Sequence, residues 1–151
     1  MMPLIMQIVE LALLAGLGMM AGAVIYTSFV EIPVRQKLDA ERQLQNWQLV
    51  FPVASGFLKP FGIGLFPLLV IVGFVSGNWL WGVSALLLIA IQPFTAMFIS
   101  KTNDILIGEK PKDASAAIPP LIRKWDRLHH VRTALISSSL FCALTAHFQT
   151  L

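Results

Sequence analysis

Cysteine is almost missing from this chain. Cys142 is the only one in 151 residues, and it lies in an apolar run. That excludes a disulfide framework and a cysteine-rich metal cluster. Charge is scarce too, at 13% Asp, Glu, Lys and Arg against roughly 25% in soluble domains. Where it is missing says more than how much. Residues 1–34, 60–100 and 133–151 contain no Lys or Arg, and all 11 fall in two windows, Arg35 to Lys59 and Lys101 to Arg132. No phosphate-binding glycine loop, nucleophile elbow or HExxH pair occurs. No repeat with a period of roughly 20–50 residues occurs either, which excludes a solenoid or propeller.

What is present is apolar. Hydrophobic residues make up 56% of the chain and the mean hydropathy is +0.74. A charged residue at a bilayer centre costs roughly 2.5–3.5 kcal/mol on insertion scales, so long uncharged runs mark membrane spans. A span needs about 20 residues, and the chain has room for four. The runs predict an all-α, four-helix transmembrane bundle forming one domain over 1–151, with spans at about 3–30, 53–76, 80–100 and 126–148. No basic n-region precedes the run Met1 to Val30, so it reads as a retained helix rather than a signal peptide.

Gly18 and Gly22 form a GxxxG match within small residues that suit close helix packing. Glu31-Ile32-Pro33 should end the first span, since proline breaks the hydrogen-bond ladder. The polar stretch Gln36 to Val50 should then form a short interfacial helix between spans one and two. Basic loops stay on the cytoplasmic or equivalent side, which puts both windows there and both termini opposite. The basic residues alternate with Asp39, Glu41, Asp104, Glu109, Asp113 and Asp126. Their expected partner is therefore the lipid bilayer and not nucleic acid.

The polar residues inside this frame are few. Trp125, His129 and Arg132 are spaced i, i+4 and i+7, which puts them on one helix face. Antiparallel packing brings Asn103 from the end of span three, and Tyr26 and Glu31 from the end of span one, to the same depth. Apolar walls with a few placed polar groups are the composition of a ligand pocket. The same residues also fit a plainer role, with Arg132 anchoring in headgroups, Trp125 in the aromatic belt and Asn103 capping its helix. His129 and His130 point apart on a helix, and no His or Cys lies four residues from either, so no metal site is expected.

Glu10 is the only charge inside an apolar span. It lies too far along span one to share the His129 site. His147 should reach its depth on antiparallel span four, so a structural Glu10–His147 hydrogen bond is expected.

The segments Lys101-Thr102-Asn103-Asp104-Ile105-Leu106 and Trp125-Asp126-Arg127-Leu128-His129-His130-Val131-Arg132 resemble two signatures of the anthrone oxygenase-like family of small four-helix membrane proteins. The glycine-rich first span ending in Glu31-Ile32-Pro33 is similar as well. Characterised members convert anthrones to anthraquinones with O2 and with no metal or flavin, so the resemblance implies no cofactor. It implies that a base removes the acidic C10 proton and that the anion passes an electron to O2. Recombination gives a hydroperoxide, and loss of water gives the quinone. On that reading His129 is the base and Arg132 stabilises the oxyanion. Asn103 orients the substrate oxygen, Trp125 stacks on the flat rings, and Tyr26 and Glu31 complete the substrate site. The implied partners are a lipophilic aromatic and O2. A reading of another class remains open: a non-catalytic membrane subunit packing through its small-residue faces against a partner protein or further copies of itself. A transporter is disfavoured, since no broken helices or internal two-fold are visible.

Overall fold

The computed structural model describes residues 3–113 and 116–150. Residues 1, 2, 114, 115 and 151 lie outside the described residues, and they include parts of the expected N-terminal run and second basic loop. The described chain is all-α. Four helices are long and apolar enough to cross a membrane: α1 (Leu4–Arg35), α2 (Ala40–Ser76), α3 (Trp79–Gly108) and α4 (Ile118–Gln149). This fits a multi-pass integral membrane protein. α4 packs on α1 and α3, and α2 closes the ring against α3 and α1.

The helices run past the expected spans, for identifiable reasons. In α1, Pro33 does not end the helix. The turn Thr27–Glu31 widens instead, with the Ile32 N–H reaching back to the Thr27 carbonyl, which absorbs the proline ring without breaking the ladder. The polar stretch Gln36 to Val50 is not a separate interfacial helix. Asp39 caps the Arg42 N–H, and from Ala40 one helix continues through Pro52, Pro60 and Pro67 to Ser76. These prolines recur about every two turns and all lie on its exposed face, where the missing donors bend the helix rather than split it.

α3 extends to Gly108 because Thr102, Asn103 and Leu106 are buried on one face. α4 begins early because Ile118, Ile122 and Trp125 are buried at i, i+4 and i+7. Pro119 and Pro120 sit in its first turn, where a missing N–H costs nothing.

Two apolar clusters stack along the bundle. One gathers Leu13, Leu17, Leu69, Trp81, Ala85 and Ala143 near the Gly77 turn. The other gathers Leu44, Trp47, Ile99, Leu106, Ile122 and Trp125 at the far end. Around them the outer faces expose Ile5, Met19, Phe57, Phe74 and Phe141, as lipid-facing surfaces do. Gly73 allows a close contact in the α2–α3 hairpin, since a Cβ there would sit 3.3 Å from the Gly82 nitrogen. The GxxxG expectation is not met within the chain: Gly18 and Gly22 face open space, and Gly16 makes the close approach, to Leu65.

The start of α1, the end of α4 and the Gly77 turn share one end of the bundle. There the Glu10 Oε2 and His147 Nδ1 lie 2.6 Å apart and both residues are buried, as the depth argument requires. Asn78 adds a bond from its amide to the Ala146 carbonyl.

Candidate active site

A cavity of about 680 Å³ lies between the two apolar clusters. Met20, Val24, Gly62, Leu88 and Ile136 line it from the side of the first cluster, and Trp47 and Phe51 from that of the second. Its polar groups come from all four helices. α1 supplies Thr27, Glu31 and Arg35; α2 supplies Ser55 and Lys59; α3 supplies Gln92 and Asn103; α4 supplies His129 and Arg132.

α1 is fixed to α4 at this depth by hydroxyls. Ser28 and Thr133 share a buried hydrogen bond of 2.8 Å, and the Thr133 hydroxyl also lies 3.1 Å from the His129 carbonyl. His129 is buried, with Nδ1 2.9 Å from Arg132 Nη2 and Nε2 3.3 Å from the Val24 carbonyl oxygen. A guanidinium can only donate, so Nδ1 accepts and Nε2 carries the proton, donating to Val24. The imidazole is therefore neutral and held from both sides.

Trp125 is the hub of the polar end. The His129 ring stacks on it at 5.1 Å and 15°. The guanidinium carbons of Arg132 and Arg35 lie 5.1 and 5.5 Å from its ring centroid. Its indole N–H donates to Asn103 Oδ1 at 2.9 Å, leaving the Asn103 NH2 as the group that amide can offer a ligand. The stacking surface Trp125 was expected to present to flat rings is thus taken by His129 and the two cations. A second aromatic wall exists in Trp47 and Phe51, which stack on each other at 4.6 Å.

Arg35 was not anticipated as a site residue. It is 1% exposed, and it holds Glu31 Oε1 at 2.7 Å and Asp126 Oδ1 at 2.6 Å. Gln36 takes the other Asp126 oxygen at 3.0 Å. Counting windows of basic residues assigned Arg35 and Asp126 to topology. The i, i+4 spacing of Glu31 and Arg35 was the available signal.

Five of the six expected residues line one cavity: His129, Arg132, Asn103, Trp125 and Glu31. Tyr26 does not, because it points out of the bundle and is 60% exposed. The reason is helical phase: Val24 and Ser28 occupy the inward positions of that turn. His130 is exposed too, which separates it from His129. Among the described residues, no group of three or more His, Cys, Asp or Glu is placed to hold a metal ion.

The two signature segments lie within a longer match. Residues 47–142, more than half of the chain, match the model of the anthrone oxygenase family. The chain belongs to the anthrone oxygenase family. No curated protein and no solved structure matches it. The family match takes in Trp47, Asn103, Trp125, His129 and Arg132 and leaves α1 outside. The Glu31–Arg35 half of the site is therefore contributed by a helix that this anthrone oxygenase family match does not reach.

Proposed function

We propose that the protein is a cofactor-independent oxygenase that oxidises a lipophilic aromatic of the anthrone type to a quinone with O2. The observation that carries this reading is the pairing of His129 with Arg132 on a cavity large enough for a three-ring substrate. Arg132 has no carboxylate partner among the described residues, whereas Arg35 has two. A cation without a carboxylate partner in a low-dielectric site favours an anion, and the anion of an anthrone is what the reaction must stabilise.

The hydrogen bonds suggest an order of events. A substrate carbonyl oxygen draws the Arg132 fork away from Nδ1, and that frees the one nitrogen able to accept a proton. His129 then takes the C10 proton, and negative charge develops on the oxygen that Arg132 now holds. The anthrone anion gives one electron to O2, and the radical and superoxide recombine at C10 as a peroxide, which takes up a proton to become the hydroperoxide. Loss of water across the C–H and O–O bonds leaves the carbonyl. One anthrone and one O2 become one anthraquinone and one water. The Asn103 NH2 can hold a second oxygen of the ring system, and Trp47 with Phe51 offers the flat wall.

The protein would lie in a membrane with its Arg35–Lys59 and Lys101–Arg132 segments on the cytoplasmic or equivalent side, as the charge distribution favours. The alternative of a non-catalytic subunit requires His129 to face lipid or a partner. Its burial inside the chain's own cavity supports the enzyme instead. The test is oxygen uptake by purified, reconstituted protein given anthrone and 18O2. One labelled atom should appear in the quinone and one in water. Quinone formation no faster than in empty vesicles would rule the activity out for this substrate.

A further inference from the structure

The cavity has a side. Its lining residues on α1 and α4 are buried or half-buried, whereas the exposed ones, Lys59, Pro93 and Ala96, all belong to α2 and α3. These two helices are tied together at both ends. Near the turn, Gly73 meets Trp81 and Gly82. At the far end, Gln48 Nε2 donates to the Leu106 and Glu109 carbonyls at 2.7 and 2.8 Å. Between these ties α3 is irregular. Pro93 cannot donate to Ile89, although Ala90 keeps its bonds to Leu86 and Phe94, and the turn Thr95–Ile99 is widened. The backbone of Ile91–Ile99 runs chiefly beside the rest of α3 and α4 rather than α2, and Ile99 reaches α2 in the cluster of Leu44 and Trp47. α2 in turn carries Pro52 and Pro60 on either side of Ser55 and Lys59.

We infer that this gap is a lateral portal, through which the cavity receives flat lipophilic molecules from the acyl region of the bilayer. Depth supports it. Lys59 lies about 25 Å from the Ser76 end of α2, and Pro93 about 21 Å from the Trp79 end of α3, at 1.5 Å per residue. Both distances fall inside a hydrocarbon core of about 30 Å, with Lys59 near its edge. There a lysine extends its ammonium to the headgroups and leaves its stem along the apolar rim. A ring system dissolved among acyl chains can slide past that stem without entering water. Its way in is then sideways between α2 and α3, not along the bundle axis past Arg35. The portal is a property of the fold. That anthrone-like substrates use it rests on the oxygenase reading.

Thiol labelling in phosphatidylcholine vesicles tests the portal without turnover. In a Cys142→Ala background, Val24→Cys puts one thiol on the cavity wall opposite the gap. N-cyclohexylmaleimide, which dissolves in lipid, should label it, and a sulfonated maleimide should not. Ala96→Phe and, from the other rim, Ser55→Phe should each slow the lipid-soluble reaction at least tenfold. Leu68→Phe, on the exposed face of α2, should leave it unchanged. Rapid labelling by the sulfonated reagent would overturn the portal, as would no labelling by either reagent. So would rates indifferent to both rim substitutions. Labelling as expected in a protein that does not oxidise anthrone would keep the portal and remove the oxygenase reading.

Discussion

His129 has both ring nitrogens engaged, one accepting from Arg132 and one donating to Val24, so its proton chemistry is controlled by Arg132. His129→Ala should abolish oxygenation while leaving the helical circular dichroism unchanged. Arg132→Lys should lower kcat/KM for anthrone by about 10²–10³-fold, the usual loss when an oxyanion donor goes, because an ammonium cannot reproduce the planar fork. The Arg35–Asp126 pair is a matter of stability. Both side chains are almost wholly buried, and removing one partner of such a pair costs about 3–5 kcal/mol. Asp126→Ala should therefore lower the unfolding midpoint in detergent clearly more than substitution of exposed Asp104. At this scale the sequence spoke clearly where spacing sets a face: Trp125, His129 and Arg132 meet because helical phase requires it. It misled for Tyr26, because the phase of α1 puts Val24 and Ser28 inward and turns this ring outward. For Arg35 it offered only the i, i+4 spacing to Glu31, since the rest of its role depends on Asp126, 91 residues away.

The helices show how proline is used when the ladder must continue. Pro33 coincides with the widened turn Thr27–Glu31, and that turn sets where Glu31 and Thr27 enter the cavity. Pro33→Ala lets the turn relax to regular α-helix and rotates the residues on one side of it by a fraction of a turn. The expected result is unchanged or higher thermal stability with a several-fold loss of kcat/KM. Equal activity would show that the widened turn does not position the site. Gly73→Leu should act oppositely. Its side chain meets Trp81 and backbone in the α2–α3 hairpin, so stability should fall by about 1–3 kcal/mol, the usual penalty of overpacking. The existence of four helices was legible because apolar runs are long and charge-free. Their ends were not, since Pro52 and Pro60 look like breaks until it is known that they lie on an outer face, and Asp39 looks like loop until it caps.

At the scale of the whole molecule, charge and packing divide the bundle. One end holds Glu10 and His147, the other both basic windows, with the cavity between the two apolar clusters; α2, at 37 residues or about 55 Å, is longer than one membrane thickness. Cysteines introduced at Asn78 and at Gly108 should label from opposite sides of a sealed vesicle. Labelling from the same side would contradict the topology. The central claim is that a flat lipophilic ketone occupies the cavity beside His129 and Arg132. Anthraquinone abstracts hydrogen from nearby C–H bonds when irradiated, so it can report its own position. Irradiated with the reconstituted protein and mapped by mass spectrometry, it should give saturable adducts on Met20, Val24, Leu58 and Ile136. Adducts confined to outward residues such as Phe74 and Phe141, rising linearly with concentration, would contradict the account.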